Sequence, residues 1–555
     1  MNSCTVAGIL RARAESSRAD EIAIRFKEPE GWTEWTWRQY WEAARATGVA
    51  LFESGVRPGD HVLVATPEVR PAVACLFGLW AIGATPIQIV APNRLTDPAA
   101  FLAQFLETAR RLDARFLLTS KALSNFAPSG AIKILVAEEM LLAEPAGEAP
   151  DPNQAAGAAF IQLTSGTTSR PRGVVVTHDR LLLHLECMSR ALPSHQESRG
   201  VSWLPLHHDM GLVGGLLFPF YNGFPGHMIS TADFQQQPWL WLEAMSRFRA
   251  TICAAPPSAY AVCLPLANRS AVAGLDLSAW ECAMVGAEPI SAALLRRFSA
   301  AFAPCGFRPE AFFPVYGLAE ATVAVSFPEL LSPARVDRID RFVLETEGRA
   351  VPCDEDEGSL EFVSVGKAIP GSEIRIIDES GAELPERMIG EILVRGETLS
   401  PGYYREPEAT EEALRGGRLH TGDLGYQADR LLFITGRKKE IIIKGGHNLI
   451  PSALEEIVAT VEGVRAGAVA AVGVRSAARE TEMVCIVAET RLAPGEHGAL
   501  NQAIRAALKR HAITVDRVLL LAPRSLPKTT SGKIQRLAIA RMLERDKLAS
   551  VPGES

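Results

Sequence analysis

The strongest constraint on this chain is an alternation of strand-like and helix-like hydrophobic patterns across residues 1–140. Short apolar runs are typical of buried strands, and they lie at residues 60–65, 84–90, 115–119 and 132–136. Between them, residues 71–82 and 101–112 repeat apolar side chains at helical spacing. Strands that alternate with helices form parallel sheets with helices on their faces. The sequence therefore predicts an α/β fold.

Length and charge narrow the possible functions. The chain has 555 residues, of which 47% are hydrophobic, so it can build more than one packed core and is too apolar to be disordered. Its net charge of -7 gives no general attraction to nucleic acid or to an anionic membrane. We therefore expect no nucleic-acid partner, and any anionic ligand must be bound by local groups.

The cysteines and the N-terminus favour a reduced, cytoplasmic protein. The nine cysteines occur singly, without the paired spacings of zinc or redox sites, and most are expected to be core residues. The N-terminus lacks a basic segment followed by an apolar core, and no apolar run reaches the roughly 18 residues of a membrane span. A cytoplasmic location without membrane insertion is the expectation.

Changes in pattern divide the chain. Residues 329–360 carry scattered charges and prolines and are interpreted as an insertion, and residues 366–426 contain short strands with turn signals, typical of a β-rich subdomain. The sharpest boundary lies at Gly436 to Glu440, and a compact α+β pattern follows it. We therefore predict an N-terminal domain of residues 1–436 and a C-terminal domain of residues 441–555, joined by residues 437–440.

A hydroxyl-rich loop directly follows the strand-like run at residues 158–162. Its hydroxyls, backbone N–H groups and arginines are suited to phosphate oxygens, although an ordinary surface turn has a similar composition. The candidate phosphate contacts are Thr164, Ser165, Gly166, Thr167, Thr168 and Arg172. The loop lacks the Gly-Lys-Ser/Thr ending that places a lysine on the phosphates of nucleoside triphosphates. Another group must therefore supply that positive charge.

Further motifs follow this loop in a characteristic order. They lie at residues 203–212, 285–289, 315–322, 420–425, 436–437 and 526–536. Together with the loop, they resemble the adenylate-forming superfamily of acyl-CoA synthetases, fatty acyl-AMP ligases, luciferases and peptide-synthetase adenylation domains. The resemblance implies a large ATP- and acyl-binding N-terminal domain and a small, mobile C-terminal domain, with ATP and Mg²⁺ as cofactors.

The resemblance also assigns roles on the nucleotide side. Glu320 would ligate Mg²⁺, Tyr316 and the adjacent Gly317 would lie against adenine, and Gly286, Ala287 and Glu288 would line its edge. Attack of a carboxylate on the α-phosphorus of ATP needs hydrogen-bond donors and cations more than a general base. The alternative interpretations are a solvated carboxylate at a helix start for Glu320 and plain packing for the others.

Three residues near the domain boundary and one near the C-terminus complete the set that the resemblance implies. Asp423 would accept both ribose hydroxyls, with a simple turn residue as the alternative, and Arg437 would also reach the ribose. Lys533 would enter the active site from the C-terminal domain and bind the α-phosphate and carboxylate oxygens, in place of the missing loop lysine. Lys439 would be the hinge about which that domain swings before thiol attack.

The segments at residues 203–212 and 316–322 resemble the fatty acyl-AMP ligase branch most closely. Forty-five residues separate Glu320 from Gly366, and that branch carries an insertion here that packs against the C-terminal domain. Such enzymes deliver the acyl group to the phosphopantetheine of an acyl carrier protein or a polyketide synthase. The segment at residues 444–451 departs from the branch pattern, which leaves free CoA open as the acceptor.

The acid itself is assigned to the segment at residues 207–214. The candidate substrate contacts are His207, His208, Asp209, Met210, Gly211 and Gly214. His208 is placed near the substrate carboxylate, with a structural role as the alternative, and it joins Lys533, Glu320 and Thr164 as a catalytic candidate. The glycines could let a fatty acyl chain pass close to the backbone, but the same run is also typical of a buried helix.

Three other functions stay open at this point. An acyl-CoA synthetase would use the same residues with free CoA. An amino-acid adenylating enzyme could face an ammonium with Asp209. A non-catalytic nucleotide-binding protein would keep the pocket, although the presence of Lys533, Glu320 and Asp423 together argues against it.

Overall fold

The structure is a computed structural model that carries side chains. It describes residues 5–92, 98–124, 132–144, 147, 157–164, 171–272, 274–355, 358–475, 482–511, 513–528 and 533–545. Among these residues, no helix is both long enough and apolar enough to cross a membrane. The described cysteines are unpaired, and most of them are buried, as expected.

The first sheet confirms the predicted parallel arrangement. Its four strands are all parallel, in the order Thr85–Gln88, His61–Ala65, Ala114–Thr119 and Lys133–Val136. The helices around it are Trp37–Glu53, Val69–Ala81, Pro98–Arg111 and Ala137–Leu142. The strand expected at residues 84–90 is shorter than predicted, and the two expected helices begin two or three residues earlier.

The second sheet is larger and also mainly parallel. Its order is Phe312–Pro314, Cys282–Val285, Ile252–Ala255, Gly200–Ser202, Gly226–Met228, Ile22–Glu28 and Gly31–Thr36, and only the last pair is antiparallel. Its helices are Val6–Ala14, His178–Ala191, Phe218–Asn222, Thr231–Gln236, Trp239–Arg247, Pro257–Cys263 and Ala292–Phe302. Several motif segments begin where these parallel strands end, at the edge where α/β sheets bind ligands.

Antiparallel elements cover this edge. Ala158–Thr164 and Arg172–Thr177 form a hairpin, and Ser326–Phe327 pairs with Lys367–Ala368. The β-rich region is a four-stranded antiparallel sheet of Ser372–Ile377, Gly390–Gly396, Leu419–Ala428 and Leu431–Arg437. Helix Pro407–Ala413 lies between its second and third strands in the sequence.

The segment interpreted as an insertion has regular structure. Val336–Asp340 pairs with Ser359–Val363, and helix Arg341–Glu347 lies between them. Buried Ile339 and Leu344 share a core with Tyr426 of the β-rich sheet and with Ile450. The segment is therefore packed against both neighbouring parts of the chain.

The C-terminal part has its own core. A hairpin of Ile442–Lys444 and His447–Leu449 precedes a sheet of Val464–Arg475, Glu482–Thr490 and Arg517–Leu521, with helices Pro451–Ala459, His497–Arg510 and Arg536–Glu544. Leu454, Ile486 and Ile504 are fully buried on one side of this sheet, and Val487 and Ile539 are buried on the other. Hydrophobic periodicity in residues 452–521 predicts the three strands of the sheet and the first two helices to within a few residues, whereas the hairpin and helix Arg536–Glu544 were not predicted.

Candidate functional site

A cavity of about 1930 Å³ lies at the carboxyl edge of the large sheet. It gathers predicted site residues from every motif segment: Thr164, Arg172, His207, His208, Asp209, Met210, Gly214, Ala287, Glu288, Tyr316, Gly317, Glu320, Asp423, Arg437, Lys439 and Lys533. Ser165, Gly166, Thr167 and Thr168 lie outside the described residues. Thr164 and Arg172 pair across the hairpin that brackets them, so this loop starts and ends at the cavity wall.

The buried side chain of Asp423 is the centre of a polar cluster. It lies within a strand rather than in a turn, opposite Arg437 of the adjacent strand. The Arg437 Nε lies 2.9 Å from Asp423 Oδ1, and the Tyr316 hydroxyl donates to Asp423 Oδ2 at 2.7 Å. The charge of Asp423 raises the pKa of Arg437, and burial followed by Asp423 raises the pKa of Tyr316. Both carboxylate oxygens therefore already have a partner within the protein.

Lys533 brings a positive charge from the C-terminal part into this cavity. Burial lowers the pKa of Lys533, while the carboxylates of Asp209, Glu288 and Asp423 act in the opposite direction and Arg437 adds to the lowering. These four interacting groups come from four separate motif segments, at residues 203–212, 285–289, 420–425 and 436–437. That Lys533 replaces the missing loop lysine stays a prediction.

His208 and Asp209 form a pair beside Lys533. His208 Nδ1 lies 2.7 Å from Asp209 Oδ1, and the Met210 N–H donates to the same oxygen at 2.7 Å. Burial alone would raise the pKa of Asp209, but His208 and then Lys533 act against it, and the net shift is downward. Asp209 is therefore an ionised carboxylate that is already paired with His208 and interacts with the Lys533 ammonium.

His207, the residue before this pair, also lines the cavity. Burial and the neighbouring His208 lower the pKa of His207 to about 4, so its ring is neutral near pH 7. The Gln162 side-chain amide donates to the His207 carbonyl oxygen at 2.5 Å and ties this segment to strand Ala158–Thr164.

The glycine-rich segment after Asp209 forms a π-helix, Met210–Leu217. Short π-helical stretches are rare and occur often at functional sites. Gly214 lines the cavity, and a Cβ at this position would meet nothing within 4 Å. A Cβ on Gly211 would lie only 2.2 Å from the Pro205 carbonyl oxygen, and Gly211 is not among the cavity-lining residues. Gly211 therefore allows close packing of the backbone, and only Gly214 opens onto the cavity.

The predicted adenine edge contains one further tightly packed glycine. A Cβ on Gly286 would lie 2.7 Å from the Val315 carbonyl oxygen, and Gly286 itself does not line the cavity. Ala287 has a φ of +67°, which turns the chain so that the Glu288 side chain reaches Ser258. The Ser258 N–H and hydroxyl each donate to Glu288 at 3.1 Å. The Glu288 carboxylate thus caps helix Pro257–Cys263 while facing the cavity.

Glu320 is a hard oxygen donor on the cavity wall. Tyr403, which the sequence reasoning missed, donates its hydroxyl to Glu320 Oε1 at 2.7 Å. Among the described residues, no group of three or more acidic, histidine or cysteine side chains could hold a metal ion. A single carboxylate fits Mg²⁺ that arrives with a nucleotide, because phosphates and water supply its other ligands.

Lys439 is exposed in a short turn between two anchors. On one side, Arg437 pairs with Asp423. On the other side, Arg536 contacts Glu440 at 2.9 Å and Glu455 at 2.7 Å, with all three side chains largely buried. The predicted hinge residue thus lies between a point held by the β-rich sheet and a point held by the C-terminal part.

The domains and the gathered motifs define a class, the adenylate-forming ligases. A model of the AMP-binding enzyme family matches residues 10–404, and the protein belongs to this family. The family resemblance predicted from the motifs is therefore confirmed, and ATP use follows from membership.

Individual relatives support the same class. The chain is 32% identical over 494 residues to a putative acyl-CoA synthetase of Caulobacter vibrioides, covering 88% of this chain and 86% of that protein. It is 32% identical over 532 residues to a medium-chain-fatty-acid–[acyl-carrier-protein] ligase of Moorena producens, covering 90% and 88%. A structure from a study of fatty acyl-adenylate ligases from E. coli and L. pneumophila matches 98% of both chains, with 30% identity and a TM-score of 0.90. The predicted fold class is thereby confirmed.

Proposed function

We propose that this protein activates a fatty acid to acyl-AMP and then transfers the acyl group to the phosphopantetheine thiol of an acyl carrier protein or polyketide synthase. The observation that carries the proposal is the position of Lys533 at the wall of a cavity that also reaches the open face of Gly214. One end of this space has charge for a reacting carboxylate and phosphate. The other has room beside apolar walls for an acyl chain.

The residues act by charge and position. A carboxylate oxygen of the acid attacks the α-phosphorus. The bond between the α-phosphorus and the oxygen that bridges it to the β-phosphate breaks, and pyrophosphate leaves. Lys533 binds the α-phosphate and carboxylate oxygens as charge develops, while Thr164, Arg172 and the intervening loop hold the outgoing phosphates. Mg²⁺ bound at Glu320 would neutralise charge on the phosphates. The C-terminal part, which carries Lys533 and lines one side of the cavity, would limit the access of water to the reacting groups.

The nucleoside would lie beside Tyr316, Gly317 and the segment of Ala287 and Glu288. Asp423 has both oxygens engaged by Tyr316 and Arg437, yet a carboxylate accepts about four hydrogen bonds. Asp423 can therefore bind ribose hydroxyls while Tyr316 and Arg437 hold it in place. In this proposal Tyr316 acts through its hydroxyl as well as through its ring.

The acyl chain would run along the π-helix from the charged end of the cavity. Asp209 starts this helix next to Lys533, and Gly214 faces the cavity one turn further on. Apolar lining residues such as Ala254, Ala261 and Met284 favour a hydrocarbon chain. An amino acid is a weaker candidate, because Asp209 is already paired with His208 and interacts with the Lys533 ammonium.

The insertion supports a carrier protein over free CoA as the acceptor. Phe342 of its helix contacts His447 of the C-terminal hairpin, with 5.9 Å between ring centroids, and Ile450 is buried with Leu344. These contacts resist rotation of the C-terminal part. A CoA ligase is the second candidate, since the segment at residues 444–451 departs from the carrier-dependent pattern and one similar protein is named a putative acyl-CoA synthetase.

The test is to incubate the protein with ATP, Mg²⁺ and saturated acids of increasing length, and to add CoA or a holo carrier protein separately. Mass spectrometry should find acyl-AMP without any acceptor, acyl-carrier with the carrier protein, and no acyl-CoA. Rapid acyl-CoA formation would transfer the assignment to the second candidate. A Lys533→Ala variant should lose at least about 100-fold in acyl-AMP formation, the range of a lost oxyanion contact, and unchanged output would indicate a different catalytic cation.

A further inference from the structure

The segment Ser400–Tyr404 joins two parts of the site that lie far apart in the sequence. Tyr403 forms an antiparallel bridge with Val174, and the Val175 N–H donates to the Gly402 carbonyl oxygen at 3.0 Å. At the other end of the segment, the Ser400 N–H donates to the Glu320 carbonyl oxygen at 2.8 Å. The backbone around Tyr403 is therefore fixed both to the strand that leaves the phosphate loop and to the turn that carries Glu320.

The turn at Glu320 is held from its far side as well. Thr322 has a φ of +71° and a ψ of -53°, which is strained for a β-branched residue. Its hydroxyl donates to the Thr398 carbonyl oxygen at 3.0 Å. Strain of this kind persists only where the surroundings fix the backbone, and here they fix it on both sides of Glu320.

The Tyr403 phenol lies between Glu320 and Arg172. Its hydroxyl donates to Glu320 Oε1 at 2.7 Å, and the Arg172 guanidinium carbon lies 5.2 Å from the centre of its ring. A phenol is protonated near pH 7, so the Tyr403 hydroxyl is the donor in this hydrogen bond. One carboxylate oxygen of Glu320 is thereby held in a defined direction.

We propose that Tyr403 is a positioning residue that orients Glu320 toward the divalent cation of the ATP complex. The inference rests on the proposed role of Glu320 in metal binding. Hydrogen bonds that orient ligating carboxylates are worth about 10- to 100-fold in metal affinity when they are removed. Tyr403 acts through Glu320, because the hydrogen bond from its hydroxyl restricts the orientation of that carboxylate.

The experiment uses the full chain with the Tyr403→Phe substitution, which removes only the hydroxyl and keeps the ring beside Arg172. Mn²⁺ binding is measured by electron paramagnetic resonance in the presence of a non-hydrolysable α,β-methylene ATP. The dissociation constant for Mn²⁺ should rise about 10-fold, while the affinity for the analogue without metal should not change. The Mg²⁺ concentration for half-maximal acyl-AMP formation should rise in parallel, with kcat recovered at saturating Mg²⁺.

Tyr404→Phe is the matched control, because the ring of Tyr404 packs on His61 at 4.8 Å and belongs to another cluster. Its Mn²⁺ affinity should equal that of the wild type, and Glu320→Gln should weaken Mn²⁺ binding at least as much as Tyr403→Phe. Wild-type affinity in Tyr403→Phe or in Glu320→Gln would overturn the inference, as would an equal loss in Tyr404→Phe. A wild type that binds Mn²⁺ with the analogue but forms no acyl-AMP would instead refute the proposed function and leave this inference standing.

Discussion

Gly214 offers the most direct test of where the acid lies. A Cβ at this position meets no atom within 4 Å, and the residue lines the cavity, so a Gly214→Leu side chain would project into the space assigned to the acyl chain. The leucine side chain has about the volume of four methylene groups. Displacing four buried methylenes at about 0.8 kcal/mol each costs about 3 kcal/mol, or about 100-fold in kcat/KM.

This loss should fall only on acids long enough to reach Gly214. In a chain-length series, kcat/KM for pyrophosphate release should drop about 100-fold for the longest accepted acids and stay within a few-fold for the shortest. The fold should not suffer, because a helical glycine replaced without a clash stabilises a protein by about 0.5–1 kcal/mol. A uniform loss across all chain lengths, or none, would refute the position of the chain. Gly211→Ala is the contrasting variant. Its Cβ would clash with the Pro205 carbonyl oxygen, so the thermal midpoint of the protein should fall, whatever the length of the acid.

Two further predictions concern the hinge and the insertion. Lys439→Pro should leave acyl-AMP formation within a few-fold but strongly impair thioester formation, because a proline restricts the rotation that transfer requires; equal loss of both, in pyrophosphate and thioester assays, would remove the hinge assignment. Burial raises the pKa of Glu345 from 4.5 to about 7, against the opposing effect of Arg341, so its protonated form is favoured in the folded protein. The resulting stability is present below pH 4.5 and is lost as the pH rises toward 7. Glu345→Gln should therefore increase the free energy of unfolding at pH 8 by on the order of 1 kcal/mol, which raises the thermal midpoint, and should not do so at pH 4.5. The same gain at both pH values would contradict the assignment.

The sequence predicted most of the fold because its signals are local. Strands of a parallel sheet are covered on both faces, so they appear as short apolar runs, and the helices between them keep their own period. Element ends were less accurate: the helix Val69–Ala81 starts before Pro71, because a proline is tolerated in the first turn of a helix. Without the family resemblance, the insertion is visible in the sequence only as a break in pattern, since its apolar residues Ile339 and Leu344 are buried by Tyr426 and Ile450, which lie about one hundred residues downstream.

The site was harder to predict in detail than in outline. Motifs identified the residues that line the cavity, but the partners of these residues depend on tertiary contacts. Tyr403 and Glu320 are 83 residues apart, and no periodicity links them. The glycines at 211 and 214 cannot be told apart in the sequence, because only the surrounding backbone decides that one packs against Pro205 and the other opens onto the cavity.

The charge missing from the phosphate loop would account for a hinge in the proposed mechanism. If Lys533 supplies that charge from the C-terminal part, the same residue blocks the reaction centre until it withdraws. Arg437 is held by Asp423, and its neighbour Lys438 donates its N–H to the Gly422 carbonyl oxygen at 2.9 Å. Glu440 is held by Arg536, three residues beyond Lys533 in the chain. Since both flanks are anchored, we expect rotation to be confined to Lys439, and Arg536 would then carry that rotation directly to the catalytic lysine.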